Sequence, residues 1–233
     1  MTTTNHTAKL KSRQRLIALA VFALCVIVGA AGLAWVLGPA YRAAAQYEPQ
    51  EGDIVFQSMP HSPLIDAIEG ASESPLSHCG IVGKNPNGQL VIYEALHGVE
   101  ITPLKMFLLR GRQQGFAVYR LKEAYRPQIP ATLAAVKKYL GRPYDLRYDL
   151  DDEKIYCSEL IYKAFRDVTG EELGRLVRLG DLKWQPFEAT IRELENGEPP
   201  LDRMMITPKD LALAPQLELV QAYQIEVPKA AEK

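Results

Sequence analysis

Three residue types in this chain could act together as a nucleophilic centre: a cysteine, a histidine and a carboxylate. Cys157 opens the stretch Cys-Ser-Glu-Leu-Ile-Tyr-Lys-Ala-Phe165, in which Leu160, Ile161, Ala164, Phe165 and then Val168 recur at helical spacing. The cysteine therefore heads a helix with one buried face, where the partial positive charge of a helix N-terminus favours a thiolate. An unpaired cysteine is nevertheless among the most often buried residue types, so Cys157 alone does not declare a nucleophile. It needs a base, and the base needs a third group to hold its tautomer.

Histidine titrates close to neutral pH and is the natural base. His6 precedes the apolar N-terminal run, and His61 and His97 read as surface loop residues without a role. His78 begins a strand, directly before Cys79-Gly80. Strand alternation sends His78 and Cys79 to opposite faces, which argues against Cys79 as nucleophile and against a Cys79–Cys157 disulfide. Glu94 is a lone carboxylate inside the apolar run Leu90–Leu96. If buried it must be paired, and an imidazolium is a fitting partner; on an edge strand it could instead face water.

The elements that must position these groups follow from turn chemistry and periodicity. Gly52-Asp-Ile-Val-Phe56 reads as a strand opened by a turn, and residues 58–77 as a loop with a short helix around Leu64–Ile68. Ser77–Val82 and Leu90–Leu96 read as antiparallel strands of a hairpin, with Asn87-Gly88 supplying positive backbone angles. Thr102-Pro103 is expected to cap a short helix through Leu109, and Gly115–Leu121 to form a further strand. A helix over Pro130–Leu140 stops at Gly141, and a polar, aromatic loop over Arg142–Lys154 delivers the chain to Cys157. Thr207-Pro-Lys-Asp210 matches a capped helix start. The whole is an α+β domain with a small antiparallel sheet packed with helices.

Leu16 to Gly38 contains no charged residue, and as a helix it would be about 34 Å long, enough to cross a bilayer. Lys9, Lys11, Arg13 and Arg15 precede it, so the tail stays cytoplasmic and the rest is exported. The expected organisation is a basic tail over 1–15, a transmembrane signal anchor over 16–38, a linker over 39–50, one catalytic domain over 51–228 and a tail over 229–233. The expected location is a bacterial inner membrane, single-pass, with the domain in the periplasm or otherwise outside the cytoplasm. A cleaved signal peptide ending near Ala43-Ala44-Ala45 is the competing reading, and it would make the protein secreted. Cys25, inside the apolar run, reads as a lipid-facing or helix-packing thiol.

Net charge is −1, and no basic stripe interleaved with aromatics occurs, so nucleic acid is not an expected partner. Three cysteines are too few for a disulfide scaffold, and neither CxxC nor HExxH occurs. Asp151-Asp152 reads as a solvated loop. No metal and no cofactor are expected.

Five pieces, Gly52-Asp-Ile-Val-Phe56, His78-Cys-Gly-Ile-Val82, Tyr93-Glu-Ala95, Gly141-Arg-Pro-Tyr144 and Tyr156-Cys-Ser-Glu-Leu160, together resemble the NlpC/P60 superfamily of papain-like cysteine hydrolases. The cysteine motif comes last, as in the circularly permuted YiiX/YebB-like branch, the permuted papain-like amidases. The resemblance implies Cys157 as nucleophile, His78 as base, Glu94 as the third polar residue and Tyr144 as a substrate or oxyanion contact. It implies cleavage of amide bonds, with peptide or cell-wall peptide as substrate. The alternatives are an acyl hydrolase or acyltransferase acting on lipid, and a non-catalytic module binding peptide or lipid.

Overall fold

The structure, a computed structural model, describes residues 19, 21–30, 32 and 38–229. The chain divides into two compact units, 1–45 and 46–233. In the first, residues 21–30 are helical with exposed side chains. The expected basic tail, 1–15, lies outside the described residues, as does much of the expected span, 16–38. Among the described residues no helix is long and apolar enough to cross a membrane. Within the segment expected to be a linker, residues 39–46 are helical.

The second unit contains, in chain order, β1 (Ile54–Gln57), α1 (Pro63–Ser72), β2 (His78–Lys84), β3 (Leu90–Ala95), β4 (Val99–Pro103) and α2 (Leu104–Arg110). There follow β5 (Phe116–Leu121), α3 (Ile129–Lys138), α4 (Cys157–Thr169), β6 (Val177–Arg178), α5 (Glu188–Glu195), β7 (Met204–Met205), α6 (Pro208–Ala212) and β8 (Leu217–Tyr223). Six strands form one antiparallel sheet in the order β4-β3-β2-β1-β5-β8, and β6 and β7 pair separately.

Local chemistry explains the boundaries. In the β2–β3 hairpin the Asn85 Oδ1 accepts the amides of Asn87 and Gln89, each at 3.0 Å. Gly88 alone takes a positive φ, 77°, so Asn87 does not share that duty as expected. Ser62 caps α1 by accepting the Ile65 amide at 3.2 Å, with Pro63 in the first turn. Thr207 caps α6 through the Asp210 amide at 3.0 Å. Thr102-Pro103 does not start a helix. It ends β4, with Thr102 opposite Ile92, and α2 begins at Leu104 without a side-chain cap. The β4 strand, unforeseen, covers β3 and removes it from the sheet edge. The β8 edge strand and α5 were also unforeseen: most of β8 is exposed or half-exposed and α5 buries no residue, so neither carries a clean apolar period.

The sheet has two different faces. One bears Ile54, Phe56, Cys79, Ile81 and Tyr93 and forms a common core with Leu133 and Val136 of α3 and Leu160, Ile161, Ala164 and Phe165 of α4. Full burial of each large apolar side chain contributes about 1.5–3 kcal/mol, which anchors the helix bearing Cys157. The other face carries Gln57, His78, Gly80 and Glu94, in register across three strands, and α2 lies against it.

Candidate active site

Cys157 is the first residue of α4, after Tyr156 in an extended conformation. The Glu159 carboxylate reaches back to accept the Tyr156 amide at 3.1 Å, which fixes the first turn. The polypeptide arrives at Tyr156 along β4: Val99 donates to the Arg142 carbonyl at 2.8 Å and Ile155 to the Pro143 carbonyl at 3.0 Å.

His78 is the first residue of β2 and is 3% exposed. Its Nε2 lies 2.5 Å from Glu94 Oε2. Register explains the contact: Gly80 stands directly opposite Glu94, so His78, two residues earlier, meets it on the diagonal of the same face. A Cβ on Gly80 would approach Ile92 Cγ2 to 2.3 Å and Glu94 Cβ to 3.2 Å. The glycine thus leaves Glu94 its place. With Nε2 turned to Glu94, the other ring nitrogen is left for Cys157, whose hydrogen bonding and negative charge are among the causes that raise the His78 pKa.

Glu94 is fully buried and does not face solvent, because β4 covers its strand. Besides His78 it accepts hydrogen bonds from both terminal nitrogens of Arg110, at 2.6 Å and 3.1 Å. Burial alone would raise the pKa of Glu94, but the hydrogen bond and charge of His78, with those of Arg110, lower it to about 2. Burial would depress His78, yet the hydrogen bonds and negative charges of Cys157 and Glu94 raise it to about 9. The Cys157 thiol is held well below its usual value: the hydrogen bond from the Cys79 side chain is the largest cause, burial opposes it, and the imidazolium and the Cys79 amide add to it. The arrangement favours a thiolate–imidazolium pair at neutral pH.

Cys79 corrects one expectation. It was expected to point away from a site that contained His78, but it neighbours Cys157, whose pKa its side chain and its amide both lower. Side chains leaving a strand on opposite faces can meet one atom only at the strand's end, and the head of α4 sits over the first two residues of β2. The two thiols remain free, and burial with the neighbouring Cys157 raises the Cys79 pKa well above normal.

Tyr144 lies in the same cluster. Its hydroxyl is 3.4 Å from that of Tyr148, and burial, then the charges of Tyr148 and Cys157, raise its pKa. Tyr148 takes a positive φ of 59° and packs its ring 5.0 Å from that of Tyr156. Beyond the sulfur a cleft opens, lined by Tyr148, Tyr156 and Cys157 and largely by apolar side chains, among them Leu64, Ile68, Leu182 and Leu194.

His61 and His97 are exposed and stand beside Asp66 and Glu100, remote from this cluster in their pairing. Asp151 and Asp152 cap a lysine instead of facing only water: the Lys163 ammonium bonds to the Asp151 carbonyl and, at 2.9 Å, to Asp152 Oδ1. Sequence reasoning missed Arg110, Gln57 and Tyr148. Arg110 ends a helix of no special pattern, and only the register of β3 reveals its target. Tyr148 left one visible trace, its place among the aromatics of the loop before Cys157.

Comparison with known proteins bears on the same region. A family model described as permuted papain-like amidase enzyme, YaeF/YiiX, C92 family, matches residues 48–221. The uncharacterized protein YiiX of Escherichia coli strain K12 is 31% identical over 180 residues, covering 76% of this chain and 88% of that one. A crystal structure described as metalloprotein yiiX from Escherichia coli O157:H7 superposes with a TM-score of 0.70 at 31% identity, covering 78% of this chain and 100% of that one.

Proposed function

The chain belongs to the permuted papain-like amidase family, and from that premise we propose that it is a cysteine hydrolase with Cys157 as nucleophile, His78 as acid–base and Glu94 as the group that orients the imidazole. The single observation that supports this most is the buried 2.5 Å contact between His78 Nε2 and Glu94 Oε2.

The Cys157 thiolate attacks the substrate carbonyl carbon, and the carbonyl electrons move to oxygen. The amide of Cys157, at the open end of α4, and the Tyr144 hydroxyl donate to this oxyanion. His78, as imidazolium, gives its proton to the leaving amine as the C–N bond breaks. The neutral ring then takes a proton from water, whose oxygen attacks the thioester and releases the acid and the thiolate. Glu94 stays ionised throughout and keeps Nε2–H directed at itself, so that the other nitrogen carries the transferred proton.

The substrate we favour is an amide in a peptide or cell-wall peptide. The family's description as amidases supports it, as does export by the apolar run 16–38, which would hold the domain at the periplasmic face of the inner membrane. A second reading, acyl hydrolysis or transfer on a lipid, is favoured by the cleft at Cys157, whose walls are mainly apolar side chains.

The similar Escherichia coli protein is described as a metalloprotein. Among the described residues of this chain no group of three or more His, Cys, Asp or Glu is placed to share an ion. The donor set does not fit a metal, and no step runs through one.

The test is release of product from purified wall peptides and from acyl lipids by the parent and by Cys157→Ala. Turnover should fall to background in the variant with melting temperature retained; an unchanged rate overturns the assignment. The better of the two substrates separates the readings.

A further inference from the structure

Beneath the sheet, three buried polar side chains and a half-buried arginine are joined in a layer that the reaction above only half uses. His78 contacts Glu94, Glu94 accepts both terminal nitrogens of Arg110, and Arg110 Nη2 also reaches Gln57 Oε1 at 3.4 Å. Gln57 in turn donates through Nε2 to the Phe107 carbonyl, which ties α2 to β1. The Arg110 guanidinium lies 4.9 Å over the Phe107 ring, and that ring stacks 5.7 Å from His78. Arg110 is therefore held on three sides and cannot swing away from Glu94 without breaking this packing.

We propose that Arg110 is a positioning residue for the reaction: by neutralising and clamping Glu94 it makes the thiolate–imidazolium form of Cys157 and His78 the resting state of the buried site. This rests on the assignment of Cys157 and His78 above. The physical reason is charge balance. Read from sulfur to guanidinium the chain runs negative, positive, negative, positive, and sums to zero. Without Arg110 a net negative charge would be enclosed where burial penalises it. Two relaxations are open. Either Glu94 takes a proton and stops stabilising the imidazolium, or the thiolate takes one. Both raise the Cys157 pKa, so the sign does not depend on which occurs.

The other groups facing this chain do not supply the missing charge. Cys79 and Tyr144 meet the sulfur as neutral side chains with raised pKa values, Tyr148 and Tyr156 likewise, and Phe107 is apolar. Among the described residues, Arg110 is the cation that contacts Glu94 apart from His78 itself.

The experiment is the pH dependence of iodoacetamide alkylation at Cys157, located by mass spectrometry, on the full chain. In Arg110→Met the acid-side midpoint should move up by about one pH unit, which at mildly acidic pH is about a tenfold slower alkylation. Arg110→Lys, which keeps the charge but loses the two-point grip, should fall between. In a Glu94→Gln background the Arg110→Met shift should shrink, because the carboxylate it balances is gone. An unmoved midpoint in the Met and Lys variants, or an equal shift with and without Glu94, overturns the proposal and leaves Arg110 as packing. If Arg110→Met fails to fold, Arg110→Lys and its Glu94→Gln double variant decide the question. Absence of any thiolate labelling in the parent protein would defeat the hydrolase assignment itself, a different outcome.

Discussion

Two buried ionic clusters flank the head of α4, and they differ in what they reach. On the sheet side, Arg110 and His78 converge on a fully buried Glu94, and His78 continues to the sulfur. Within α4, a buried Lys163 forms an ion pair with Glu159 at 2.8 Å, one turn away, and with Asp152 of the preceding loop at 2.9 Å. The hydrogen bonds and ion pairs of the second cluster, among the described residues, join Lys163, Glu159, Asp151, Asp152 and the Tyr156 amide and do not include Cys157. They pin the loop that carries Tyr144 and Tyr148 and fix the first turn through the Tyr156 amide. Burial of charge is thus common to both, and only connection to Cys157 makes one the proposed site of reaction. A third pairing shows the same lesson: Asp53, of the Gly-Asp motif, accepts Tyr47 and Arg120, each at 2.6 Å, and holds the start of the domain to β5.

The comparison can be broken most forcefully at Lys163. Lys163→Met leaves Glu159 buried without its cation, and the loss should be about 3–5 kcal/mol by urea unfolding. If activity per folded molecule fell by more than that of a Glu94 variant, the division between the two clusters would fail. Glu94→Gln comes next: it keeps the shape of the sheet-side cluster but removes its charge, and kcat/KM should drop about 10- to 100-fold with a smaller stability change.

The pH responses should be opposite in sign. Glu94, at about 2, lies below its unfolded value, so its contribution to stability is present above about pH 4.3 and is lost as pH falls toward 2. Burial raises Glu159 to about 7 against the opposing pull of Lys163, so its contribution is full below about pH 4.3 and is lost as pH rises through 7. Stability of Glu159→Gln, followed by thermal melting, should lose this decline toward neutral pH; an identical slope in the variant would show that Glu159 does not titrate there. The smallest effect is on rate: activity should fade above about pH 9, where the His78 imidazolium loses its proton.

Much of this arrangement is legible along the chain. The β2–β3 hairpin, the helix behind Cys157 and the capped start at Thr207 follow from turn residues and apolar spacing, which are local properties. The elements that were not legible are those with no clean period, β8 and α5, and β4, whose Thr-Pro end mimics a helix start. Missing β4 mattered, because that strand is what turns Glu94 from an edge carboxylate into a buried one. Cys79 was misjudged for a related reason: alternation does send Cys79 and His78 to opposite faces, but at a strand's end another element can meet side chains from both.

Residue types and their order alone determined a helix headed by a cysteine, a strand headed by a histidine and an apolar strand holding one carboxylate within an α+β domain, because short-range periodicity and turn chemistry write themselves into neighbouring residues; their grouping in a permuted arrangement came from the family resemblance. Only the tertiary structure decided that Arg110 grips Glu94, that Cys79 touches the sulfur and that Lys163 serves a separate cluster. Those contacts join residues distant in sequence, and their energies depend on strand register and burial, which no local pattern records.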